Sequence, residues 1–79
     1  MIVWYTPHAQ LQMRRRSVSQ AEVEAVLLDP EITQMKRHGR QGAWRRLAGR
    51  AIMVIHEPTE DGTATVVVTV YPQTRRPQR

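Results

Sequence analysis

Cysteine is absent from all 79 residues, which removes disulfides, thiolate metal sites and a cysteine nucleophile together. A chain this short and without staples holds together by packing and hydrogen bonds alone. At its size roughly 60% of the unfolded surface can be buried, enough for one small core and no second domain. Phenylalanine is missing as well, so Trp4, Tyr5, Trp44 and Tyr71 are the only large rings. No apolar run approaches the ~20 residues of a membrane span, and Met1 to Tyr5 is too short for the apolar stretch of a secretion signal. These absences lead to the expectation of a cytoplasmic protein.

Lysine is nearly absent too. Lys36 is the one lysine among 12 basic residues, which stand against 7 acidic ones for a formal net charge of +5 and a pI near 11.1. Arginine bias can arise from genome base composition. It also suits phosphate, because the planar guanidinium makes bidentate bonds where lysine acts as a point charge. Either origin predicts attraction to polyanions, with RNA, DNA or an acidic protein as partners.

Thr6-Pro7 reads as a helix start after a short edge strand at Met1–Tyr5, with Thr6 as cap and Pro7 where its missing N–H costs nothing. The first helix runs from about Pro7 to Arg15, and Arg14, Arg15 and Arg16 suit the negative end of its dipole. Ser19-Gln20-Ala21-Glu22 is a capping box, with Val18 able to staple onto Val23, and Asp29-Pro30 stops the second helix. Glu22 and Glu24 fit its carboxylate-rich first turn better than a catalytic pair. From Ile32 the pattern becomes two-fold: Ile32 to Arg37, a turn at His38-Gly39-Arg40, Ala43 to Ala48, a break at Gly49, then Arg50–His56 and Thr65–Pro72. The expected fold is α+β, two N-terminal helices packed on one face of a four- to five-stranded antiparallel meander sheet. The domain spans residues 1–72, and residues 73–79 form a flexible basic tail.

Strand parity singles out a candidate site. If residues 57–62 are simply a hairpin loop, His56 faces Thr63, Arg50 falls opposite Thr69, and Tyr71 lies two residues along the same surface. A guanidinium, an alcohol and a phenol would then converge where a phosphate can sit. His8, in the first turn of the first helix, fits either a general acid–base or an ordinary surface histidine. His38 and His56 read as solvent-exposed. The spacings of the three histidines match no metal motif and no carboxylate cluster accompanies them, so neither metal nor cofactor is expected. Ser17 and Ser19 are consumed by the turn and the cap, and the four glycines stand alone rather than in a phosphate loop. Trp4 and Trp44 could stack bases, but filling the core is the better reading for both.

The stretch His8 to Val18, the capped helix to Asp29-Pro30, Arg46, Gly49-Arg50, Ile52–Ile55 and the closing Val68-Thr69-Val70-Tyr71-Pro72 together resemble the family known as domain of unknown function 4258. The resemblance covers nearly the whole chain. That family in turn resembles BrnT-type, RelE-like and barnase-like ribonuclease toxins, which implies a metal-independent endoribonuclease that leaves a 2′,3′-cyclic phosphate end. Carried over by position, it implies catalytic roles for His8, Arg50, Thr69 and Tyr71 and substrate contacts from Arg16 and Arg46. An acidic antitoxin or immunity protein would be the partner. Gln12 stands where the family usually has arginine, which keeps a second reading open: a non-catalytic RNA-binding or protein-docking module of the same fold.

Overall fold

A computed structural model describes residues 1–78. The chain runs β1 (Ile2–Tyr5), α1 (Pro7–Arg16), α2 (Gln20–Leu28), β2 (Ile32–Met35), a 3₁₀ turn (Arg37–Gly39), β3 (Gln41–Leu47), β4 (Arg50–Pro58) and β5 (Ala64–Pro72). Among the described residues no helix is long and apolar enough to cross a membrane.

Local chemistry sets the helix boundaries. The Thr6 hydroxyl accepts from the Ala9 N–H at 3.0 Å, with Pro7 at the first helical position. Ser17, in the left-handed conformation at φ 54°, ends α1 and donates its N–H back to Arg14 O at 3.3 Å. Two residues later the predicted capping box is present in both directions: Glu22 N–H donates to Ser19 Oγ at 3.1 Å, and Ser19 N–H to Glu22 Oε1 at 3.0 Å. The helices are thus joined by a turn short enough to lay both on one face of the sheet.

The five strands lie in the order β1-β5-β4-β3-β2. β5-β4-β3-β2 is the antiparallel meander read from the sequence, but β1 pairs with β5 in parallel, Ile2 beside Ala64 and Tyr5 beside Val67, so the sheet is mixed. The crossover through both helices makes this possible, since a chain that passes over one face before returning can add its first strand parallel to its last.

Two apolar clusters result, one on each face. Beneath the helices, Ala9, Met13, Val18, Val23 and Val26 pack on Ala43, Ile52, Val54, Val67 and Val70. The opposite face carries Ile32, Trp44, Ala51, Met53 and Ile55, with Tyr71 packed against them. Trp44 is 1% exposed although no helix lies on that side. Hydrogen bonds tie residues 73–78, the segment expected to be a flexible basic tail, to this face: Trp44 Nε1–H donates to Gln73 O at 2.7 Å, Arg46 to Thr74 O at 3.2 Å, and the Gln34 amide to Gln78 O. Arg79 lies outside the described residues. The indole N–H gains the partner that a buried polar group requires. Deleting residues 73–79 is therefore expected to move Trp44 emission to longer wavelength and to cost about 1 kcal/mol, a fall of roughly 5 °C in Tm. Unchanged emission would show that the segment covers nothing.

The tryptophans divide against expectation. Trp44 fills the core as read, whereas Trp4 is 60% exposed, on the face away from the helices and beside Val66. Its strand lies at the sheet edge, beyond the reach of the covering segment's hydrogen bonds.

Candidate functional site

The β4–β5 hairpin departs from the expected register in two ways. Its tight end is residues 59–63, closed by Thr59 N–H to Ala64 O at 3.0 Å, and His56 pairs with Val67 rather than Thr63. A slide of four residues preserves side-chain parity. A β-bulge then reverses it: His56 faces Val67 but Ile55 faces Thr69, so Val68 is an extra residue on β5. Below the bulge Thr65 and Val67 turn toward the helices. Above it Val70 does so, and Thr69 and Tyr71 turn to the other face.

The expected convergence is therefore absent. Thr69 lies opposite Ile55 and Tyr71 opposite Met53, on the face bearing Trp44, while Arg50 lies on the helix side. Arg50 is also engaged through all three of its nitrogens. Its Nε and one terminal nitrogen donate to Glu22 at 3.2 and 2.8 Å, and its other donors reach Arg16 O at 2.9 Å and Ser17 O. It clamps the carbonyl end of α1 and the first turn of α2 onto the start of β4. Hydrogen bonding from Arg50, more than any other cause, holds the Glu22 carboxyl below the usual range, and the same bond raises Arg50.

The remaining expected site residues are scattered. His8 is exposed in the first turn of α1, one helical turn from Gln12 and two from Arg16. Arg16 donates from Nε to Gln12 Oε1 at 3.2 Å, so the residue that departs from the family pattern holds the arginine of the next turn. Arg46 lies on the far face, its guanidinium 5.7 Å from the centre of the Trp44 ring. In sum, Arg16 and Arg50 meet through a main-chain carbonyl, Arg46 and Tyr71 share the opposite face, and His8 stands apart.

One polar cluster assembles that the sequence did not single out. Tyr5 pairs with Val67, and Val67 with His56, so Tyr5 and His56 occupy one row across three strands on the helix side. His56 Nδ1 and Thr65 Oγ1 are 2.7 Å apart, and the Tyr5 hydroxyl donates to Glu24 of α2 at 3.2 Å. Burial lowers the His56 pKa below 6.5, so the ring is neutral at physiological pH. Burial first, then the Glu24 charge, pushes Tyr5 up to about 12. Where Nδ1–H donates to Thr65, Nε2 keeps its lone pair and can take a proton. Thr65 lies two residues from Val67, the partner of His56, and the parallel pairing of β1 adds Tyr5 to that row, a placement no local residue pattern signals.

The charge left over is cationic. Arg45 pairs with Asp29 at 3.1 Å and Arg50 with Glu22 at 2.8 Å, the only ion pairs among the described residues. Arg14, Arg15 and Arg16 are exposed together at the end of α1, and Lys36, Arg37 and Arg40 flank the β2–β3 turn. Among the described residues no group of three or more histidine or acidic side chains is placed to hold a metal ion.

The profile of the family described as Domain of unknown function (DUF4258) matches residues 5–72. No curated protein and no solved structure matches the chain.

Proposed function

The chain belongs to the domain of unknown function 4258 family, whose description states no activity, and from its own residues we propose that it binds RNA through its exposed arginines. The observation that carries this reading is that Arg45 and Arg50 alone among the described basic side chains sit in ion pairs, leaving Arg14, Arg15 and Arg16 exposed at the end of α1 with no carboxylate partner. The resemblance supplies RNA rather than DNA. An acidic antitoxin-type protein would compete for the same surface.

The test is titration of single-stranded RNA against salt. Each phosphate neutralised on a single strand contributes about 0.7 to the slope of log affinity against log salt. Changing Arg14, Arg15 and Arg16 together to glutamine is expected to flatten that slope by about 2 and to weaken binding roughly tenfold. An unchanged slope would place the RNA elsewhere or nowhere.

A second reading, metal-independent RNA cleavage, is favoured by one feature, the His56–Thr65 pair beside Tyr5 and Glu24. In that reading His56 Nε2 takes the proton from a ribose 2′-hydroxyl. The 2′-oxygen forms a bond to the adjacent phosphorus while the bond to the 5′-oxygen breaks, and that oxygen takes a proton from solvent water as it leaves, giving a 2′,3′-cyclic phosphate end and returning the His56 proton to solvent afterwards. Arg50, Thr69 and Tyr71 take no part in this version, since Arg50 is held by Glu22 and the end of α1 at the other end of β4, and Thr69 and Tyr71 face the opposite side of the sheet.

A further inference from the structure

The outer edge of β1 is unguarded. Ile2 N–H donates to Thr63 O at 3.4 Å and Thr6 N–H to Val67 O at 3.1 Å. In a parallel ladder alternate residues turn both main-chain groups to the same side. Ile2, Trp4 and Thr6 therefore face β5, and Val3 and Tyr5 face outward. Tyr5 O is taken by the Gln10 side-chain amide at 3.1 Å, which leaves Val3 N–H, Val3 C=O and Tyr5 N–H aligned along a strand with no neighbour on that side. The devices that usually blunt such an edge, an inserted lysine, a proline or a bulge, are all missing from Ile2–Tyr5.

Beside this edge lies an apolar and acidic surface. Met1, Ile2 and Trp4 are 67%, 54% and 60% exposed, the densest run of uncovered large apolar side chains in the described residues. Ile2 and Trp4 line an open depression together with Thr59, Glu60, Asp61 and Thr63. Asp61 accepts from Thr63 N–H at 3.0 Å, Thr63 Oγ1 at 2.9 Å and Thr59 Oγ1 at 2.8 Å, which fixes its carboxylate and holds its pKa down, the backbone bond foremost. In a chain of net charge +5 this depression carries two carboxylates and no cation.

We propose that the β1 edge and the depression beside Trp4 form a docking site for an extended cationic segment of a partner protein. The segment adds as a further strand through Val3 and Tyr5 and lays an arginine or lysine over Trp4 beside Glu60 and Asp61. Charge complementarity selects this occupant. A second copy of the chain would offer Ile2 and Trp4, not a cation, to the carboxylates; RNA would meet those carboxylates with its phosphates. The site stands apart from the arginines proposed to bind RNA, so either reading can fail alone.

The test uses the whole chain and an acetylated, amidated peptide of alternating valine and arginine, with amide hydrogen exchange followed by NMR. Val3 and Tyr5 amides are expected to exchange quickly in the free protein and to slow at least tenfold when the peptide saturates the site. Trp4→Ser combined with Glu60→Lys, both at exposed positions, is expected to weaken peptide binding about tenfold or more, with the remaining amides of the sheet unchanged. Equal binding of the same peptide with glutamate for arginine would overturn the proposal. So would protection of Val3 and Tyr5 that grows with protein concentration alone, which marks self-pairing, an equal response of these amides to oligouridylate, or no response to the peptide.

Discussion

Arg50→Ala is expected to lower Tm by roughly 10–20 °C while leaving RNA affinity within about twofold of the parent. The guanidinium bridges Glu22, Arg16 O and Ser17 O, and its side chain is 30% exposed, so the loss combines charge-assisted bonds with two helix-end carbonyls stripped of their donor. Such bonds are worth about 1.5–3 kcal/mol in buried settings and less where water reaches, which places the total near 2–3 kcal/mol. Arg50→Lys should fall between, since an ammonium can reach Glu22 but cannot span the carbonyls as well. The acid limb gives a second check. Glu22 has a folded pKa below its ordinary 4.5, so the pair's contribution is complete above that value and fades as pH falls through the lower folded one. The gap between parent and Arg50→Ala should accordingly narrow in acid. Full stability with RNA binding abolished would return Arg50 to the substrate surface.

For the cleavage reading, the decisive variant is His56→Gln. A positioned general base typically contributes 10²–10⁴-fold, so turnover of RNA in EDTA should fall at least ~100-fold while the salt slope of binding stays at the parent value. The parent rate should rise with pH through a midpoint below 6.5, because burial disfavours the charged ring. Stability follows the same sign. With a depressed folded pKa, what His56 contributes is complete above 6.5 and is lost as pH falls through the folded value. Absence of cleavage by the parent, or an undiminished rate in His56→Gln, removes the reading and leaves RNA binding alone. Tyr71→Phe should leave both activities as they were, since the ring packs against Trp44 and its neighbours on the other face.

The helices were legible because their signals are local. Thr6-Pro7 and Ser19-Gln20-Ala21-Glu22 specify caps within four residues, and both caps form. The meander was legible from alternation and turns, down to the break at Gly49, where φ is +89° and a side chain would be strained. What failed was everything that depends on one strand finding another at a distance. The parallel place of β1 leaves no trace in four residues whose alternation suits either direction. The bulge at Val68 sits in a valine run where any residue could be the extra one, yet it decides which face Thr69 and Tyr71 occupy. Arg50 reads as a phosphate ligand because sequence shows a cation and hides Glu22, which approaches it from 28 positions away. Parity along one strand is reliable; parity carried across a hairpin is only as good as the count of residues between.

The pairing of β1 with β5 also governs how the molecule comes into being. Ile2 meets Ala64, and the Thr6 hydroxyl meets Val68 O across 62 positions, so β1 finds its neighbour only after both helices and the three strands before β5 have been made. Until then α1 has no β5 to rest on and the valines of the emerging last strand have no lid. Such long-range closure slows folding and holds the nascent chain open to capture by other strands.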